Sequence, residues 1–335
     1  MKKYDFPQNL TSFFSKYLPG QRGVSINTIK SYRDTFVLFF RFLIEEKKIK
    51  PDNLTFVGYD SKLIKNFLEW IETKRQCSAA TRNQRLAAIH AFTRYVMMEN
   101  PEMMHSCQEI LSIQSKKAQS KGLNYLTIDE LKCILAQPNL NTKQGKRDLA
   151  LLTLLYDSGA RVQEIADLKI ADIRLELPAT LKLTGKGNKS RIIPIMPDTA
   201  NIMSIYMKLY RLDSHDKPIF MNKEGKKLSR SGIEYIIEKY AEMAKAEQLS
   251  LNSKKVTPHV FRHSKGMHLT QANVNIIYIR DLFGHSSVQV TERYAKADTD
   301  MKRKALEKAS ENILPKLSYS KEKEQELMTY LKTLV

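Results

Sequence analysis

Cysteine and long apolar runs are two things this sequence has little of. Three cysteines occur in 335 residues, and none are spaced as paired ligands, which argues against a disulfide framework and against a zinc site. The longest apolar run, Phe36 to Phe40, stops at Arg41, far short of a bilayer span. We therefore expect neither a bound metal nor a membrane segment.

Acidic residues are also few compared with basic ones. The chain has 36 Asp and Glu against 55 Lys and Arg, a formal net charge of +19. Such an excess attracts polyanions through phosphate contacts and counterion release, which favours nucleic acid as the partner. The amino terminus is basic but lacks the apolar core of a secretion signal, so we expect a cytoplasmic, nucleoid-associated protein.

Residues 1–115 predict a small helical bundle. Apolar residues recur at spacings of three and four over Ser25 to Glu46, and similar patterns predict helices over Ser61 to Arg75 and Ser78 to Met98. Residues 116–124 are polar and basic without an apolar period, which is typical of a linker. The first unit is expected to be a separate, cationic domain.

Residues 125–312 predict a second, mainly helical domain. A capping-box pattern at Thr127 and Glu130 indicates the start of its first helix. The exception to the helical pattern is Thr180 to Ile195, where alternating apolar residues flank a glycine-rich turn and predict a β-hairpin. Residues 313–335 predict a separate amphipathic tail helix. The expected fold class is therefore mainly α with a small antiparallel β-element.

Tyr294 is a candidate nucleophile because of the residues that precede it in the sequence. It is one of fifteen tyrosines, and a tyrosine taken singly is usually a packing residue. His259, Arg262 and His285 precede it, and the i, i+3 spacing of His259 and Arg262 places both on one helical face. A tyrosine nucleophile needs a nearby base or cationic field because its ordinary pKa is about 10. Such a set suits transfer at a phosphodiester.

Two further groups upstream extend this pattern. Arg161 and Glu164 follow a glycine break at i, i+3, so that the carboxylate is able to orient the guanidinium. Lys186 lies in the hairpin turn, where it is able to protonate a leaving oxygen. Taken singly, an arginine and a glutamate at this spacing more commonly form a surface ion pair. A lysine in a glycine-rich turn is more commonly a solvated residue. His259 and His263 at i, i+4 also permit a metal pair, but no Glu follows the first histidine, and a helical surface pair is the more common arrangement.

The strings GARVQE, TGKGNKSR, TPHVFRH and FGHSSVQVTERY, in this order, resemble the signature boxes of the tyrosine recombinase or phage integrase family. The similarity is greatest to Xer-like and mobile-element integrases and spans about Tyr125 to Lys304. The N-terminal helices resemble the family's core-binding, SAM-like domain. By this resemblance the catalytic residues are Arg161 and Arg262 as phosphate ligands, Lys186 as general acid, His259, His285 and the nucleophile Tyr294, with Glu164 as the brace of Arg161.

The resemblance also implies a reaction cycle and its partners. A homotetramer is expected to bind two double-stranded DNA core sites with inverted repeats and to exchange strands through a Holliday junction and a 3′-phosphotyrosyl intermediate. Neither metal, ATP nor another cofactor is implied, and the tail, 313–335, is expected to pack on a neighbouring protomer. The candidate DNA-contacting residues are Thr28, Lys30, Arg82, Arg85 and Arg230.

Departures from the family pattern are small. Phe283 stands where many relatives have Leu, and Gly266 where Ala is frequent, which we interpret as tolerable packing changes. The expected function is integration, excision or transposition of a mobile element. The alternatives are chromosome dimer resolution by a Xer-type enzyme, a type IB topoisomerase or hairpin telomere resolvase, and a non-catalytic DNA-binding protein.

Overall fold

A computed structural model of the protein describes residues 6–117, 122–285, 287–297 and 329. The chain divides into two compact units, Met1–Lys121 and Gly122–Val335. The boundaries drawn from the sequence stay predictions. Apart from Thr329, the expected tail helix over 313–335 lies outside the described residues.

The first unit is a helical bundle. Its described helices are α1 (Phe6–Ser12), a π-helical segment (Phe13–Gln21), α2 (Ile26–Lys47), α3 (Ser61–Thr73), α4 (Ala79–Glu99) and α5 (Met104–Leu111), with 3₁₀ turns at Pro51–Asn53 and Pro101–Met103. The longer helices begin at side-chain caps: Ser25 accepts from the Thr28 amide, Asp60 from Leu63 and Ser78 from Thr81.

Aromatic side chains fill the centre of this bundle. Phe36, Phe39 and Phe92 are at most 2% exposed, and the Phe36 and Phe92 rings meet edge to face at 5.2 Å. Phe6 and Phe13 are completely buried against the same cluster. These two residues come from the helical segments over 6–21, which the apolar periodicity did not predict.

The second unit is also mainly helical. Its described helices are α6 (Ile128–Ala136), α7 (Lys143–Ser158), α8 (Val162–Ala166), α9 (Pro197–Leu209), α10 (Arg230–Ala244), α11 (Pro258–Gln271), α12 (Ile276–Phe283) and α13 (Val288–Ala297). Short 3₁₀ segments cover Ile170–Asp172, Lys186–Asn188 and Leu249–Ser253. The predicted capping box at the start of α6 is present. The sequence-based expectation of a mainly α fold with a small β-element is confirmed.

The β-element is a three-stranded antiparallel sheet in the order β1 (Ile173–Arg174), β2 (Thr180–Thr184) and β3 (Ser190–Pro194). The sequence predicted the β2–β3 hairpin but not β1. In the hairpin register Leu183 is opposite Arg191, and Leu181 is opposite Ile193. Leu181, Leu183 and Ile193 point into the core of the unit, so Arg191 lies on the inward face of β3.

Within 6–117, 122–285 and 287–297, no helix combines the length and the apolar character that crossing a membrane requires.

Candidate active site

The segment that follows α7 carries Arg161. Gly159 ends α7 with φ +55°, and a Cβ there would lie 2.3 Å from a ring carbon of Phe283, so both the backbone angle and the close approach require glycine. Arg161 is the N-cap of α8, and its amide donates to Glu164 Oε2 at 2.8 Å. The Arg161 side chain is 42% exposed, so its guanidinium is open to an incoming ligand.

Glu164 is a buried carboxylate shared by two arginines. Its side chain is 3% exposed and accepts from Arg161 Nη1 at 3.1 Å and from both Nη atoms of Arg191 at 2.9 Å. Burial by itself would raise the pKa of Glu164, but these bonds and the two positive charges outweigh it and hold that pKa below its ordinary value. Glu164 therefore contacts both Arg161 and Arg191, and its role in bracing Arg161 for catalysis stays a prediction.

Arg262 lies beneath this pair, on α11. It is 4% exposed and donates to the carbonyls of Gly159 at 2.6 Å and Phe283 at 2.7 Å, and its guanidinium lies 4.5 Å from the centre of the Phe283 ring. Burial, and next the charge of Arg161, lower the pKa of Arg262 to about 9. It therefore stays protonated at neutral pH.

Two predicted histidines border the same arginines. His285 follows α12 and its Nδ1 lies 2.8 Å from the Thr291 hydroxyl. Burial, then the charges of Arg262 and Arg161, lower the pKa of His285 to about 3. His259 is exposed at the start of α11, and shielding of its ring from water, followed by the charge of Arg262, lowers its pKa as well. Both imidazoles are neutral at pH 7.

Tyr294 lies on α13 and is completely buried. Its ring packs so closely on Gly266 that a Cβ there would lie 2.6 Å from its Cζ, and it meets the Phe283 ring at 5.9 Å. Its hydroxyl is 3.3 Å from His263 Nδ1 and 3.5 Å from an Nη atom of Arg293. The two departures at Gly266 and Phe283 are thus direct contacts of the tyrosine ring.

Three residues at the site were not among the predicted catalytic residues: Arg191, His263 and Arg293. Arg191 lies in the quoted string TGKGNKSR, and its phase with the buried Ile193 was a signal that it points inward. His263 was interpreted as a surface helix residue, but burial and then the charge of Arg293 lower its pKa to about 4. No local pattern reveals its contact with a tyrosine 31 positions further along the chain.

The remaining candidates are spread more widely. The backbone at Lys186 forms a 3₁₀ turn between β2 and β3, and its side chain lies outside what the structure describes. Arg230 is exposed at the start of α10, and its charge contributes to the lowered pKa of His259. The contact of Arg230 with DNA stays a prediction.

The candidates of the first unit differ in exposure. Lys30 is exposed on α2, and Thr28 is partly buried at the start of that helix. Arg82 is 7% exposed and donates to the Gln114 carbonyl, and Arg85 donates to the Ser31 carbonyl and the Thr35 hydroxyl. These two arginines brace the bundle, and their contact with DNA stays a prediction.

The second-unit arrangement is suited to an anion. The charges of Arg161, Arg191, Arg262 and Arg293 all act on His285, and Glu164 forms ion pairs with Arg161 and Arg191. Among the described residues, no group of three or more His, Cys, Asp and Glu is placed to hold a metal ion. Fixed cationic donors match what phosphoryl transfer requires at its transition state.

The chain is similar to known proteins over nearly its full length. A family described as "Phage integrase family" matches residues 124–301, and a "Phage integrase, N-terminal SAM-like domain" matches residues 12–100. A putative integrase/recombinase of Sinorhizobium fredii is 37% identical over 302 residues, covering 90% of each chain. The tyrosine recombinase XerC of Thermodesulfovibrio yellowstonii is 27% identical over 293 residues, covering 85% of this chain and 90% of the relative.

A solved structure shares the fold. The crystal structure of the XerH site-specific recombinase bound to its difH substrate aligns with a TM-score of 0.65 at 22% identity, covering 87% of this chain and 82% of that one.

Proposed function

The chain belongs to the phage integrase family of tyrosine recombinases, and we propose that this enzyme of site-specific recombination cuts and rejoins DNA through a 3′-phosphotyrosyl link to Tyr294. The observation that supports the assignment is the arginine cluster, in which Glu164 forms ion pairs with Arg161 and Arg191. It lies around α11, against which the helix of Tyr294 packs.

Arg161 and Arg262 are the proposed ligands of the scissile phosphate. The negative charge on the non-bridging oxygens grows during attack, and rigid guanidinium donors stabilise it most when they are already in position. Glu164 holds Arg161 in this position, and two backbone carbonyls with the Phe283 ring hold Arg262. A bound phosphate brings negative charge to these guanidinium groups.

The proposed cleavage step exchanges one phosphoester for another. The Tyr294 oxygen bonds to phosphorus as the bond from phosphorus to the deoxyribose 5′-oxygen breaks. The phenolic proton passes to the imidazole of His259 or His285, both neutral at pH 7, and the negative charge of the bound phosphate strengthens them as bases. Lys186 gives a proton to the leaving 5′-oxygen. Attack by a 5′-hydroxyl of the exchanged strand reverses the step and frees Tyr294, so that no ATP is consumed.

The proposed partners are double-stranded DNA core sites with inverted repeats, bound by a tetramer on two sites. Exposure favours Lys30 and Arg230 over Arg82 and Arg85 as the residues that contact this DNA. The tail over 313–335 is proposed to join neighbouring protomers.

Two biological roles are compatible with this chemistry. The similarity to a putative integrase/recombinase supports movement of a mobile element, and the similarity to XerC supports chromosome dimer resolution. Incubating the purified protein with the inverted repeats that flank its own gene, and separately with the chromosomal terminus of its host, distinguishes the two by which DNA it recombines.

A suicide substrate tests the assignment of Tyr294. A nick beside the scissile phosphate lets the cleaved fragment diffuse away and traps the covalent protein–DNA adduct. We expect Tyr294→Phe to abolish the adduct in EDTA-containing buffer and to leave the DNA dissociation constant within about tenfold, because the hydroxyl supplies the bond and not the binding energy.

Tyr278→Phe is the matched control, since Tyr278 is 70% exposed on α12. This variant should form the adduct normally through Tyr294. Mass spectrometry of the digested adduct should place the nucleotide on the peptide that contains Tyr294. An adduct that persists in Tyr294→Phe would contradict the assignment.

A further inference from the structure

Arg191 lies at the centre of the cluster, and the proposed chemistry gives it no role. It extends from β3 with 15% of its side chain exposed. Its two Nη atoms each donate to one oxygen of Glu164 at 2.9 Å, and its Nε donates to the Leu282 carbonyl at 2.8 Å. The guanidinium donors of Arg191 are thus directed at protein acceptors, whereas the Arg161 side chain is 42% exposed. Arg161 is therefore the phosphate ligand of the two.

Glu164 connects Arg191 to Arg161. The carboxylate accepts from both Nη atoms of Arg191, and the same two oxygens accept from the Arg161 amide and Nη1. A bidentate pair fixes the plane of a carboxylate, which a single ammonium does not do. The direction in which Arg161 points consequently depends on Arg191.

The turn that precedes His285 also rests on Arg191. Gly284 has φ +59°, and a Cβ at this position would lie 3.0 Å from Arg191 Nη1 and 3.2 Å from its Cδ. The Gly284 carbonyl in turn accepts from Arg161 Nη2 at 3.3 Å. One guanidinium therefore underlies both the carboxylate that aims Arg161 and the turn that aims His285.

We propose that Arg191 is a positioning residue of strand cleavage, which holds Glu164 and the Leu282–Gly284 turn in one arrangement and thereby aims Arg161 and His285 at the scissile phosphate. The proposal rests on the proposed function of the site. Because β3 carries Arg191, the same contacts tie the hairpin to α8 and to the end of α12.

Single-turnover cleavage of the nicked substrate tests the proposal in Arg191→Lys and Arg191→Met. Misplacing a catalytic group by about 1 Å costs roughly 10²-fold in rate, so we expect cleavage to slow by about 10-fold in Arg191→Lys and by about 10² to 10³-fold in Arg191→Met. The DNA dissociation constant should stay within about threefold, since Arg191 does not contact the phosphate. Arg174→Met, which removes a 61% exposed arginine from β1, is the matched control and should cleave normally.

Two readouts separate positioning from a general loss of structure. Arg191 and Glu164 act on Arg161 as one unit, so Arg191→Met combined with Glu164→Gln should be no slower than the slower single variant. A 5′-phosphorothiolate substrate, whose sulfur leaves without a proton, should restore Lys186→Ala but not Arg191→Met. Restoration of Arg191→Met would show that it acts through the hairpin lysine, and multiplying effects in the double variant would show that it acts independently of Glu164. Either result overturns the proposal.

Failure of this proposal is distinguishable from failure of the proposed function. If Arg191→Lys and Arg191→Met cleave at the wild-type rate while Tyr294→Phe forms no adduct, the site is correct and Arg191 has no positioning role. If the wild-type protein forms no adduct, the proposed function itself is wrong. Arg191→Lys keeps the buried positive charge, so the test does not depend on the folding of Arg191→Met.

Discussion

The two ends of the site hold their side chains in different ways. At the arginine end, Glu164 and Arg262 are almost fully buried, and their polar atoms bond to Arg161, Arg191 and backbone carbonyls. The tyrosine end consists of Tyr294, His263 and Arg293.

At the tyrosine end, the hydroxyl has two longer contacts, at 3.3 Å to His263 and 3.5 Å to the exposed Arg293. Short bonds to charged groups fix geometry more strongly than long ones. The comparison indicates that short, charge-assisted bonds fix the arginine end, whereas the Tyr294 hydroxyl is held by longer contacts.

Removing the Glu164 carboxylate should have the largest effect on stability, because Arg161 and Arg191 both donate to it. Glu164→Ala leaves Arg191 buried without its ionic partner, and we expect the free energy of unfolding to fall by about 3–5 kcal/mol. Asp167→Ala is the control: its carboxylate is 49% exposed and pairs with Lys227 at 2.6 Å, so its loss should cost about 1 kcal/mol or less. Urea denaturation of both variants measures the difference. Equal losses would mean that the arginine end is no more firmly held than the surface.

The sequence pointed to most of the residues that the structure brings together at the candidate site, but not to how they are held. Spacing placed Arg161 and Glu164 at a helix start and His259 and Arg262 on one helix, because helical geometry repeats locally. It did not indicate that Arg262 would be buried while His259 is exposed, since this depends on where α11 packs.

The contacts that the sequence did not reveal join distant segments. Arg191 meets Glu164 across 27 positions, and His263 meets Tyr294 across 31. An alternating strand pattern is enough to show that Arg191 points inward, but its partner is set by tertiary packing. The buried position of Tyr294 depends on the missing Cβ at Gly266, which a comparison of motifs alone treats as a minor change.

Gly266→Ala should act on the tyrosine end alone. A methyl group here would lie 2.6 Å from Tyr294 Cζ and 2.8 Å from both Cε atoms, so the ring has to leave its place. Replacing a glycine within a helix gains about 1 kcal/mol of helix propensity, which offsets part of the lost packing. We expect a change in the free energy of unfolding of less than about 2 kcal/mol.

Reaction with N-acetylimidazole, followed by peptide mapping, reports the release of Tyr294. Its modification should become at least about tenfold faster in Gly266→Ala, since a released state populated at about 10% or less becomes the main one. Adduct formation on the nicked substrate should rise as well. Gly232→Ala, where the Cβ would meet a flexible leucine methyl at 3.3 Å, is the control. Unchanged reactivity of Tyr294 would show that the tyrosine end is as fixed as the arginine end.

The pH dependence of stability should show a smaller effect of His263. Burial, then the charges of Arg293, His259 and Arg262, lower the pKa of His263 to about 4 in the folded protein, while the unfolded chain has the ordinary value near 6.5. Between these values the unfolded state binds more protons, so this contribution to stability is present above about pH 6.5 and is lost as the pH falls towards 4. Protonated His263 also no longer accepts a hydrogen bond from the Tyr294 hydroxyl at Nδ1.

In His263→Gln, the free energy of unfolding should therefore fall less steeply between pH 6.5 and 4. The slope should differ from that of the wild-type protein by up to roughly the amount that the uptake of one proton contributes. Urea midpoints at four pH values compare His263→Gln with the wild-type protein, and His105→Gln, at a side chain that is 88% exposed, is the control for the substitution itself. Parallel curves for His263→Gln and the wild-type protein would mean that the imidazole does not titrate with folding, and the hydroxyl would then have to be held mainly by Arg293.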